Sequence, residues 1–325
     1  MKTILTIITL LLTINLSAQV KFFKSGTFMY KITSKSTVAV LAGDKAMSGN
    51  VAIPQKVMFN DTTFTVTAIA DTGFMNCSGI RSIILPATIN KIGKRAFLNC
   101  RNLNTINIPY SVKAIPEGTF CYCEALPGIT IPDAVTQIGA YAFAHCKNLT
   151  RFIVPDNCKT IGDKAFYECS KLQVIKITAK VESIGKRVFQ ACYSLIRFEV
   201  EPENQKYVAL ESVLYTRDMQ NLIKYPSYKD SQTYDIPSGV KTIDEHAFEK
   251  VRDLALVRFP NTLTRISCLA FVDCENLLRA DYPSSIKQIG EDSFFGCSKL
   301  QESSISGNVD YIEYDYQDPM IEDLE

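Results

Sequence analysis

One residue type sets the period of this chain. Phe74, Phe97, Phe120, Phe143, Phe166 and Phe189 are each 23 positions apart, and after an interruption Phe248, Phe271 and Phe294 resume the same step. The neighbours keep that register. Five positions before each ring stands isoleucine, from Ile69 to Ile289. Three positions after it stands cysteine, from Cys77 to Cys297, with Val251 the one exception. Six positions after it stands Leu or Ile, from Ile80 to Leu300. A fixed period of 20–50 residues is the signature of a stacked repeat architecture.

The unit has a physical reading. A pair such as Ile106-Asn107-Ile108 alternates like a short strand with its isoleucines inward. Proline follows in most units (Pro86, Pro109, Pro132, Pro155, Pro237, Pro260, Pro283) and ends the ladder, because it has no N–H to donate. The Ala-Phe-x-x-Cys-x-x-Leu run has helix-like apolar spacing and is expected to form a turn or short helix. One unit cannot bury its own apolar side, but stacked units share a continuous core. At about 4.8 Å per strand, nine coils would make a rod or arc of ~45 Å.

The consensus I-G-x-x-A-F-x-x-C-x-x-L-x-x-I-x-I-P resembles the BspA-like class of leucine-rich repeats, from about Val66 to Ile305. The resemblance implies a β-rich α/β solenoid: a right-handed superhelix of about nine 23-residue coils, with one β-hairpin insertion and an N-terminal β cap. It also implies a surface or secreted protein of a host-associated microbe, and adhesion to extracellular matrix or cell-surface proteins.

The flanks divide the chain further. Lys2, the apolar run Ile4–Leu16 and the small residues Ser17 and Ala18 form a secretory signal peptide over 1–18, and hence an exported protein. Residues 19–65 lack the period and are expected to form a β-rich cap over the solenoid end. The solenoid then covers 66–305, with the interruption at 201–236 read as an insertion. Within it, Val213-Leu214-Tyr215 and Leu222-Ile223-Lys224-Tyr225 flank a polar turn and read as a hairpin. The insertion is expected either to lengthen one coil within the stack or to protrude as a recognition element. Residues 306–325 form an acidic tail; Gly307–Glu325 holds seven acids and no bases. The tail is expected to be flexible.

Little in the chain points to chemistry. The net charge of +1 argues against a nucleic-acid binder. No stretch after the leader is apolar enough to span a bilayer. Eight of the eleven cysteines share the repeat position and should be buried small hydrophobes, leaving Cys121, Cys158 and Cys268 to be free or bridged. Cys121 and Cys123 have no partner pair at zinc-like spacing. His145 adjoins Cys146, but neighbours on a coil point apart, so it reads as a surface histidine; His246 lies in a distant coil. The expectation is therefore a non-enzyme with no catalytic residues, cofactor or metal.

Binding should use the positions that the repeat leaves free. Strand alternation turns the residues eight and ten after each ring outward. From Arg151 onward these include Lys176, Arg197, Arg258 and Arg279, a basic stripe suited to an acidic or sulfated surface. Glu199 and Asp281 oppose it, and a solvated face with partly balanced charge is the plain alternative. Tyrosines of the insertion, above all Tyr215 and Tyr225, are candidates to stack on sugars if the ligand is a glycan. A protein ligand is the leading expectation, with a glycan-recognition module or a purely structural envelope protein as alternatives.

Overall fold

The computed structural model describes residues 21–301 and 309–314, which leaves the leader and most of the acidic tail outside the described residues. The chain is a β-solenoid of about ten turns of ~23 residues. Most regular coils make two short parallel pairings, one near the conserved isoleucine and one after the leucine. The first ladder stacks Ala114–Ile115, Gln137–Ile138, Thr160–Ile161 and Ser183–Ile184. The second stacks Arg151–Ile153, Val174–Ile177 and Arg197–Val200.

The expected α component is not formed: among the described residues there is no helix. The physical reason lies on the third side of each coil. Residues two before and two after the ring take left-handed backbone angles, as at Tyr141 (φ 55°) and His145 (φ 59°) around Phe143, or Lys164 (φ 52°) and Glu168 (φ 55°) around Phe166. Left-handed residues cannot propagate a right-handed helix. The N–H groups here bond to the next coil instead. Phe143 N–H donates to Ala165 O at 2.8 Å and His145 N–H to Tyr167 O at 2.7 Å. Apolar spacing therefore encoded a stacking turn that satisfies its backbone between coils.

The rings form a column inside the stack. Phe97, Phe120 and Phe143 lie face to face with centroids 5.4 Å apart. Beside them the thiols form a second column with a polar function. Cys123, Cys146 and Cys169 each donate Sγ–H to the carbonyl of the preceding coil's Phe, at 3.3, 3.2 and 3.1 Å. Burial pushes these thiols well above their ordinary pKa, so they are poor nucleophiles. Cys121, Cys158 and Cys268 are also buried free thiols.

At the N-terminus, five strands pair in the order Phe22–Ser25, Phe28–Ile32, Thr37–Ala42, Thr62–Ile69 and Lys56–Phe59. Strand Thr62–Ile69 runs through position 65, so this sheet and the first coil share a strand. Strand Ser48–Ala52 leaves the sheet and pairs in parallel with Gly79–Ile84 of the first coil.

The interruption is where the structure departs most from the 201–236 insertion. Phe189 and Phe248 are 59 residues apart, two periods with 13 residues left over. The second of those periods is a true coil centred on Tyr225, whose ring stacks on Phe248 at 4.9 Å. Its strand Thr233–Asp235 pairs with Leu256–Arg258 at the regular offset. The surplus is taken up by an antiparallel pair, Tyr207–Leu210 with Val213–Thr216. Strand Val213–Thr216 also pairs with Asn221–Lys224, which starts a new parallel ladder. This strand is a wall between two cores: Leu214 packs into the core that begins at Phe23, whereas Val213 and Tyr215 pack into the core that ends at Ile289. We refer to this boundary as the seam.

Candidate ligand-binding surfaces

Three surfaces have the chemistry to hold a ligand. The first is the outward sheet face. Its central residues Phe152, Ile175, Phe198, Val257 and Ala280 point inward and are buried, so their neighbours point out. Arg151, Arg197, Arg258 and Arg279 are exposed and Lys176 is half-buried, but Val174 faces the core. Each basic residue meets an acid. Lys176 Nζ lies 2.7 Å from Glu201, and Arg197 Nε 2.9 Å from Glu199. Arg151 reaches Glu199 as well, at 3.4 Å. Arg258 pairs with Asp235 at 2.7 Å, and Arg279 with Asp281 at 2.7 Å. Lys176 holds the Glu201 carboxyl below its usual range, chiefly through their hydrogen bond. The face is a mosaic of ion pairs from Arg151 onward, with Ile153 exposed beside Lys176 and Ile84 exposed on the uncharged first coil. Asp235 joins it only because the coil around Tyr225 is in register.

The tyrosine platform at Tyr215 and Tyr225 does not form. Both side chains are fully buried. Tyr225 occupies the ring column, and the Tyr215 hydroxyl hydrogen-bonds that of Tyr234 beside it. Neither can stack on a sugar in solution. Tyr207 is buried too, and its hydroxyl accepts the Ile184 N–H at 2.8 Å, extending the broken ladder by one bond.

The second surface is the turn side of the first stack. His145 stacks on Tyr122 at 4.0 Å, meets Tyr167 edge-on at 5.2 Å, and pairs with Glu168 at 2.9 Å. Lys164 lies 5.6 Å from the Tyr141 ring centre and 5.4 Å from that of Tyr167. Burial lowers its pKa to about 8.

The third is a cavity of about 540 Å³ at the seam, lined by Arg187, Gln190, Lys224, Asp244, Glu245 and His246 among others. It exists because the turn-side bonding stops there. Ring-residue N–H groups donate to the next coil from Phe74 to Phe166 and again from Tyr225 to Phe271, but among the described residues Phe189 makes no such bond. The Ala191 N–H is met instead by the Glu249 carboxylate at 2.9 Å. Lys224 stands in the column just before the ring, which elsewhere holds Gly73, Ala96, Thr119, Ala142, Ala165, Val188, Ala247, Ala270 and Ser293. It is buried, and its Nζ donates to His246 O at 2.6 Å. Burial lowers the Lys224 pKa and, with the nearby cations Lys224, Arg187 and Lys164, takes that of His246 to about 3. Arg187 pairs with Glu245 at 2.8 Å, and burial raises the Asp244 carboxyl to about 6. Sequence reading missed this group; a lysine in a column of small residues was the available signal.

Comparisons with known proteins agree with this geometry. No curated protein matches the chain. Among solved structures, the crystal structure of the pneumococcal vaccine antigen PcpA matches with TM-score 0.80 and 24% identity, over 90% of this chain and 77% of that one. A leucine-rich cell surface protein from Faecalibacterium prausnitzii matches with TM-score 0.62 and 24% identity, over 90% of this chain and 96% of that one. A leucine-rich repeat protein from Bacteroides ovatus matches with TM-score 0.59 and 22% identity, over 90% of each chain. At these identities the likeness shows the fold. The family described as BspA type Leucine rich repeat region matches residues 55–147, 113–234 and 223–316, in six copies. The chain belongs to the BspA-type leucine-rich repeat family.

Proposed function

We propose that this protein is an exported or cell-surface binding scaffold, without enzymatic activity, whose outward sheet face holds a protein ligand in an adhesive contact. The observation that carries the reading is the outward face itself: charged pairs set around exposed isoleucines on a rigid repeat array. Such arrays offer extended surfaces for recognition. A surface of paired charges favours a partner that can exchange its own ion pairs with them, which gives specificity more than raw affinity. The structural relatives include a vaccine antigen and a cell surface protein, which supports a surface location for this one. The leader at 1–18 lies outside the described residues and supports the same location by its sequence alone. Among the described residues no helix is long and apolar enough to cross a membrane. The glycan alternative loses its main support with the burial of Tyr215 and Tyr225.

The test is a pull-down of extracellular matrix and cell-surface proteins with the mature chain, repeated with Arg197, Arg258 and Arg279 reversed to glutamate together. Retention of a specific ligand by the wild type and its loss in the triple variant is the expected result. A ligand held equally by both removes the outward face from the reading, and saturable sugar binding on a glycan array without any protein ligand replaces it with the glycan reading.

A further inference from the structure

The cavity at the seam is met by the chain's own C-terminal segment. After the last strand, Asp310–Ile312, the backbone does not continue outward; it turns back along the stacking axis. The Cys268 thiol, one coil before Phe294, donates to Ile312 O at 3.4 Å and to Glu313 O at 3.7 Å. Tyr314 N–H donates to the Glu291 carboxylate at 2.8 Å. The Tyr314 side chain then reaches two coils further. Its hydroxyl lies 3.3 Å from His246 Nε2, and its ring centre is 4.5 Å from the Arg187 guanidinium. One tyrosine of the last turn thus touches a residue of the first stack and a residue of the second, and both of those residues line the cavity between them.

The chemistry around that contact suits more of the same segment. Lys186 and Arg265 also line the cavity, and among the described residues neither is in an ion pair. Gln190 Oε1 and His246 Nδ1 are buried there without a hydrogen-bond partner among the described residues. The residues that follow Tyr314 in the sequence include Asp315, Asp318, Glu322, Asp323 and Glu325 and no lysine or arginine.

We propose that the seam cavity is a docking site for an acidic, tyrosine-bearing peptide segment, and that the chain's own Tyr314 is its resident anchor. Tyr314 acts as a competitor: while bound in cis it keeps Arg187 and His246 from an external peptide of the same chemistry. This site is on the turn side and does not depend on the outward face. A tethered segment acts at an effective concentration in the millimolar range, so an external peptide competes poorly until the anchor is removed.

The experiment uses the full chain and a fluorescein-labelled peptide of residues 309–325, followed by anisotropy. The Tyr314→Ala chain should bind the peptide saturably, and the wild type at least ~10-fold more weakly because its own Tyr314 already holds the Arg187 and His246 contacts. A peptide carrying Tyr314→Ala should lose binding, and so should the Tyr314→Ala/Arg187→Ala chain. Equal binding by wild type and Tyr314→Ala overturns the competition, and equal binding of the two peptides overturns the tyrosine site. A second measurement is independent of how the variants fold. The chain has no tryptophan, so Tyr314→Trp creates a single reporter, with the exposed Tyr311→Trp as its control. Acrylamide should quench the reporter at 314 several-fold less than that at 311; equal quenching overturns the proposal.

Discussion

Before the seam, Phe74 to Phe189 stack with ring centres 5.4–6.1 Å apart; after it, Tyr225 to Phe294 stack at 4.5–4.9 Å. Paired strands are ~4.8 Å apart in either case. The first stack therefore opens on the ring side, and the second keeps its coils nearly parallel. The residue nine after the ring also differs between the stacks. In the first stack Phe152 wedges between Phe143 and Phe166 at 5.0 and 4.7 Å, and Phe198 presses on Phe189 at 5.1 Å. In the second stack the same column narrows from Tyr234 to Val257 and Ala280. One repeat thus accommodates two ring spacings. The 13 surplus residues at the seam keep each spacing in its own core.

That division predicts how the molecule comes apart. In an array, stability is a sum of coil and interface terms, and the weakest interface uncouples first. The seam lacks the regular turn-side bond at Phe189 and carries buried charge, so it should be that interface. Phe120→Ala should cost ~3–5 kcal/mol and Phe248→Ala a similar amount. Each should shift denaturant unfolding of its own stack, followed by hydrogen exchange of peptides from each side. If both variants shift one shared transition equally, the two stacks are a single cooperative unit and the comparison fails.

Acid should act on the seam next. His246 has its pKa lowered from 6.5 to about 3 in the fold, so the unfolded chain takes up the proton first. Its contribution is complete above pH 6.5 and is lost as pH falls toward about 3. Asp244, raised from 3.8 to about 6, works in the opposite sense: its neutral form favours the fold as pH falls through about 6. Comparing wild type with His246→Gln isolates the histidine. The variant should lose a pH dependence on the order of a few kcal/mol across that window, in seam and second-stack peptides before first-stack ones. A pH profile identical to the wild type's would show that His246 protonates freely in the fold.

The thiol column sharpens the contrast at smaller scale. Cys146→Val removes a donor to Phe120 O and should cost up to about 1 kcal/mol by thermal unfolding. Val251, at the same position in the coil after the seam, should accept Val251→Cys with a change under ~0.5 kcal/mol. Equal effects at the two sites would mean that the hydrogen bond contributes nothing beyond packing. Smallest of all, Arg279→Ala removes an exposed pair with Asp281 and should leave the thermal unfolding midpoint at the wild-type value. A lowered midpoint would make the outward pairs part of the scaffold rather than a free recognition face.

Much of this was legible in advance, because a 23-residue period assigns every column an inward or outward position. The core rings, the buried thiols and the outward arginines all follow from it. The coil around Tyr225 escaped notice because its markers are replaced: Tyr225 for the ring, Tyr228 for the cysteine and Ser231 for the leucine. Only Pro237 kept the register in view. The turn run reads as helix-capable because apolar spacing does not report backbone handedness, and left-handed angles at Tyr141 or Lys164 have no marker in residue type.

The sequence by itself determined a stack of coils, its period, its shared core and the family to which it belongs, since these depend on which residues recur at which interval. Tertiary structure alone decided three things: that the outward charges cancel in pairs, that Tyr215 and Tyr225 lie inside, and that Lys224, His246, Arg187 and Tyr314 converge at the seam. The reason is distance. Periodicity describes what a residue does relative to its own coil, whereas convergence depends on side chains up to 127 positions apart in the chain, brought together where the period breaks.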